Sequence, residues 1–120
     1  MKFPVEIVLK GCDFAVTETL EIPHGEPASW QDEAVRDALT EILRAIDRAA
    51  NPNADAERQV VLRGFSWIVE PSGKDVVLAI EIPMGAAVAG PFAITQQSFD
   101  AMISRVLRVA APRTASTTVH

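Results

Sequence analysis

The sequence predicts an α+β domain, a two-layer sandwich of order ββαββα in which a mostly antiparallel four-stranded sheet carries two helices on one face. Three observations predict it. Stretches at residues 3–22 and 59–82 alternate apolar and polar side chains with the period of paired strands. Each pair is followed by a stretch whose apolar residues recur at the three-and-four spacing of an amphipathic helix. The length, 120 residues, is that of one domain, here residues 1–112 with a disordered tail over 113–120.

The first strand is set by Phe3, Val5, Ile7 and Leu9 alternating with Pro4, Glu6, Val8 and Lys10. Gly11-Cys12-Asp13 breaks it, and Phe14, Val16, Leu20 and Ile22 resume the alternation antiparallel to it. Glu18 falls on the apolar side, which predicts an edge strand or a bend. Ser29 and Asp32 have the spacing of a capping box and open a helix whose buried stripe is Val35, Leu39, Ile42, Leu43 and Ile46. Asn51-Pro52-Asn53 ends it.

The central hairpin spans residues 59–70 and 75–82 about the turn Pro71-Ser72-Gly73-Lys74. Its second strand alternates cleanly, Val76, Leu78, Ile80 and Ile82 against Val77, Ala79 and Glu81. Its first strand is apolar on both faces, Val60, Leu62 and Ile68 against Val61, Phe65, Trp67 and Val69, and needs cover on both. Residues 84–94 are small and apolar without a clear period and predict a flexible or closely packed loop. Thr95 caps a second helix with the stripe Phe99, Met102, Ile103, Val106 and Leu107, ended by Pro112.

Short echoes suggest an internal ββα repeat. Leu9-Lys10-Gly11 is answered by Leu62-Arg63-Gly64, and Glu21-Ile22-Pro23-His24-Gly25 by Glu81-Ile82-Pro83-Met84-Gly85. One such unit has too little apolar surface to stand alone, and two side by side would share a sheet.

A net charge of −5 with scattered basic residues excludes a phosphate-binding face, so nucleic acid is not an expected partner. Within the apolar window 76–94, Glu81, Pro83, Gly85, Gly90 and Pro91 argue for a buried strand and a loop rather than a membrane span. A single cysteine, Cys12, forms no internal disulfide, which points to a reducing, cytoplasmic setting and an inert, partly buried thiol. Compactness and the alanine and arginine usage suggest a bacterial source. No metal or cofactor is expected, because His24 between Glu21 and Glu26 has no second histidine, cysteine or serine nucleophile at a ligating or catalytic spacing.

If both helices lie on one sheet face, Val61, Phe65, Trp67 and Val69 are expected bare on the other. The leading expectation is therefore a binding or assembly protein that forms a homodimer through Phe65 and Trp67. Two alternatives accompany it. One is a small-molecule-binding protein or enzyme with a pocket between the sheet and the 84–94 loop, using His24, Gly85 and Gly90. The other is an acidic chaperone for a protein partner.

Overall fold

The structure is a computed structural model that describes residues 1–52 and 60–110. The expected 113–120 tail lies outside the described residues, as does Gln59; the rest of the strand expected over 59–70 is shorter than read, because residues 60–65 are not strand and pairing begins only at Ser66. The chain runs β1 (Lys2–Leu9), β2 (Ala15–Glu21), a 3₁₀ turn (Pro27–Ser29), α1 (Asp32–Ala50), β3 (Ser66–Ser72), β4 (Asp75–Ile82), β5 (Gly85–Phe92) and α2 (Gln96–Ala110). The α+β class holds, with both helices on one face. The sheet, however, has five strands in the order β2-β1-β5-β4-β3, all neighbours antiparallel.

The added strand is the segment expected to be a loop. Residues 84–94 contain β5, which lies at the centre between β1 and β4. Its alternation is real but is carried by small side chains: Ala87 and Ala89 are buried towards the helices, while Ala86 and Val88 face the other way. Small residues are required here. A Cβ added to Gly85 would lie 2.4 Å from the Val8 carbonyl oxygen and 2.9 Å from Leu9 Cα. Gly90 sits where β5 bulges against Val76 and Leu78, at φ +116°, a conformation that suits glycine. The order is therefore ββαβββα. The echoed triplets also fall in different places, one closing inner strand β1 and the other preceding edge strand β3.

The core fills one side of the sheet. Phe3, Val5 and Ile7 of β1 and Leu78 and Ile80 of β4 meet the stripes of α1 and α2, in which the expected apolar residues are buried except Leu107, which is half-buried. Phe92 gathers an aromatic cluster, with ring centroids 5.1 Å from Phe3 and 5.4 Å from both Trp30 and Phe99. Trp30 satisfies its indole N–H on the Gly25 carbonyl at 2.8 Å.

Helix ends follow the sequence in part. Thr95 Oγ1 accepts from the Ser98 amide at 3.1 Å, as a cap should. The capping box at Ser29 does not form: Pro27–Ser29 coils into a 3₁₀ turn, Ser29 Oγ donates to the Glu26 carbonyl, and α1 begins behind Gln31 without a side-chain cap.

Both sheet edges carry protection. Glu18 points from β2 towards the helix layer and pairs with Arg48 of α1, so the outermost strand presents an inward charge. Pro71 occupies edge strand β3, where a missing amide donor is tolerated. Between the helices, Arg105 of α2 makes a two-pronged bond to Asp32 of α1, Nε to Oδ2 at 3.0 Å and Nη2 to Oδ1 at 2.9 Å. That bond holds the Asp32 carboxyl below its ordinary value of 3.8.

The direction of β3 reverses the sequence expectation. Trp67 lies opposite Ile80 and Val69 opposite Leu78, and residues directly opposite share a face. Hence Val69 is buried, and Trp67 and Phe65 pack half-buried against the core on the helix side. The bare side chain of this strand is Ile68, 54% exposed.

Candidate functional site

The pocket expected around His24, Gly85 and Gly90 is not assembled. His24 bonds Asp37 of α1 through Nε2 at 2.7 Å, and its carbonyl accepts from the Met1 amino group at 2.8 Å, which puts it beside the start of β1. Gly85 pairs with Leu9 at the opposite end of β1. Gly90 packs under Phe92 and Val76 at the bulge. The segment expected to lie over the sheet as a loop is β5 itself. Cys12, expected to be partly buried, is exposed in the turn between β1 and β2. Among the described residues no group of three metal-ligating side chains comes together, and no helix is long and apolar enough to cross a membrane.

Of the four residues expected on an open face, three belong to the helix side. The fourth, Val61, is 56% exposed but lies ahead of β3, outside the sheet.

An open face nevertheless exists, built from other residues. Cross-strand pairs define one row that runs over all five strands: Ile68, Ala79, Val88, Glu6 and Thr17. A second row beside it reads Ser66, Glu81, Ala86, Val8 and Ala15. Neither helix covers these rows. Ile68, Val8 and Val88 are 54%, 44% and 42% exposed, and Ala79 and Ala86 lie half-buried between them. Over β3, β4 and β5 the sheet forms a shallow apolar groove of about 340 Å³.

The chemistry of this face is that of contact. It offers aliphatic side chains, two threonines on β2 and the carboxylates Glu6, Glu70 and Glu81, with no histidine or cysteine in either row. A hollow of about 750 Å³ adjoins the second row at the end of the sheet, sharing Val8, Ser66, Glu81 and Ala86 with it and extending to Lys10, Phe65 and Gly85.

The signal for the open face was present in β4. Val77, Ala79 and Glu81 form its second, less apolar side, and their register neighbours Ile68 and Val88 complete the strip. Locating Val88 required β5 to be seen as a strand. Comparison with protein-family models, curated proteins and solved structures gives no match for this chain, so its functional reading rests on the geometry of this face.

Proposed function

We propose that this is a binding or assembly protein that acts by burying the bare face of its sheet against another protein surface. One observation carries the reading: Ile68, Val88 and Val8 stand about half exposed in adjoining rows of a sheet whose other face holds the core. Completing the burial of each contributes about half of the ~1.5–3 kcal/mol of a fully buried aliphatic side chain, so roughly 2–4 kcal/mol together. An unpaired, exposed Cys12 suits a reducing compartment such as a bacterial cytoplasm.

The simplest occupant to test is a second copy, giving a homodimer whose contact is Ile68 and Val88 rather than Phe65 and Trp67. Sedimentation of the wild type and Ile68→Asp across a dilution series checks it. A dimer that Ile68→Asp converts to a folded monomer is the expected result for self-pairing. A wild type that stays monomeric throughout rules self-pairing out and leaves the face to a different protein.

A second reading is favoured by the hollow at the sheet end, where Lys10 and Glu81 flank Phe65. A small polar ligand with a planar apolar part would fit it. A ligand screen by thermal shift, with hits lost in Phe65→Ala and kept in Ile68→Asp, would support this version.

A further inference from the structure

We infer that the occupant of the bare face is a basic amphipathic helix of a protein partner, its apolar stripe flanked on both sides by lysine or arginine, and not a second copy of this chain. The inference rests on the proposal that the face is a docking surface, and adds what docks there.

The charges beside the strip are predominantly acidic. Glu6 lies opposite Thr17 and Val88, Glu81 opposite Ser66 and Ala86, and Glu70 opposite Val77. None of these neighbours can neutralise a carboxylate. Two basic residues lie near this face: Lys2 faces Glu21 across the β1–β2 pair, and Lys10, just past the end of β1, lines the same hollow as Val8, Glu81 and Ala86. No ion pair among the described residues involves Glu6, Glu70 or Glu81. The apolar strip is therefore bordered by three carboxylates that make no ion pair, against the single lysine Lys10, and is acidic on balance.

Self-pairing would stack this face on itself and bring like charges together as water is expelled, which penalises the wrong partner. A partner with basic flanks instead turns each carboxylate into a charge-assisted hydrogen bond. The spacing selects the shape. Glu6 on β1 and Glu81 on β4 are separated by the single strand β5, and two strand spacings amount to roughly 10 Å. That is close to the ~10–12 Å diameter of an α-helix with its side chains. Such a helix laid over β5 would set its apolar stripe on Ala86 and Val88 and reach Glu6 on one side and Glu81 on the other. Nucleic acid and anionic lipid, both negatively charged, are repelled by the same carboxylates.

The probe is a fluorescent helical peptide with leucines along one face and lysines flanking them, compared with a matched peptide carrying glutamates in place of the lysines. Binding is followed by anisotropy. The wild type should bind the lysine peptide at least about tenfold more tightly than the glutamate peptide. Glu6→Lys with Glu81→Lys should invert that preference, Val88→Asp should abolish binding of both peptides, and Glu33→Lys on exposed α1 should change nothing. Each variant is first checked for native circular dichroism. Equal binding of the two peptides, binding of neither, or a preference unaffected by the double reversal overturns the inference. The docking reading fails separately: if the peptides do not bind but the wild type is a dimer that Ile68→Asp dissociates, the face docks a second copy and only the present inference is lost.

Discussion

Gly85→Ala tests the placement of β5, on which the bare face depends. The change adds one methyl, and Gly85 has no positive φ to complicate the result. The methyl carbon would lie 2.4 Å from the Val8 carbonyl oxygen and 2.9 Å from Leu9 Cα, both backbone atoms of the neighbouring strand. Backbone cannot swing aside as a side-chain tip can, so the end of the β1–β5 ladder at Leu9 and Gly85 has to open. Overpacking of this kind costs about 1–3 kcal/mol. Taking about 2 kcal/mol, and about 3–6 °C of melting temperature per kcal/mol for a chain of this size, the expected fall is roughly 6–12 °C. Thermal unfolding followed by far-ultraviolet circular dichroism measures it. Gly25→Ala is the control, because an added Cβ there meets nothing nearer than Ser29 Oγ at 3.9 Å, and it should leave the melting temperature within about 2 °C of wild type. A Gly85→Ala protein that melts with the wild type would refute the close approach of β1 and β5.

The direction of β3 predicts opposite outcomes for neighbouring residues: Trp67→Asp loses about 3 kcal/mol or more by placing a charge against the core, whereas Ile68→Asp loses less than about 1 kcal/mol. Urea unfolding separates them, and equal losses would contradict the register. Arg105→Ala should raise the Asp32 titration back towards 3.8, because the guanidinium bond is the largest cause of its depression. A depressed carboxyl stabilises the fold at pH above its ordinary value, and that contribution is lost as pH falls through the folded-state value. Carboxyl NMR titration reads the shift, and an unchanged Asp32 would show that the pair does not form. His24→Ala removes a partly exposed bond to Asp37 and should cost no more than about 1 kcal/mol while leaving peptide binding unaltered. A large loss of binding would put His24 in the site after all.

The helices and most of the strands were legible because their side chains contrast strongly. Val35, Leu39, Ile42 and Ile46 repeat at helical spacing and are all buried, and Phe3, Val5 and Ile7 alternate and are all buried. Glu18 on an apolar side marked β2, which is an edge strand. β5 was not legible because its inward residues, Ala87 and Ala89, and its outward ones, Ala86 and Val88, differ little in size or polarity. Close backbone packing at Gly85 explains why the chain is small there, yet small residues alone read as a loop. The candidate site was missed for a related reason. Trp67 and Ile68 are both apolar, and only the pairing of Trp67 with Ile80 decides which of them meets the helices. Ser29 shows the same limit at short range, since its hydroxyl turned back to the Glu26 carbonyl instead of capping α1.

The most direct test of the central claim is the thiol reactivity of single cysteines in a Cys12→Ser background, placed at 68, 69 and 88, with and without the lysine-flanked peptide. The account predicts that Ile68→Cys and Val88→Cys react rapidly in the free protein, that Val88→Cys is shielded when the peptide is bound, and that Val69→Cys reacts slowly in both states. Rapid labelling at 69 with slow labelling at 68, or labelling at 88 that the peptide leaves unchanged, would contradict it.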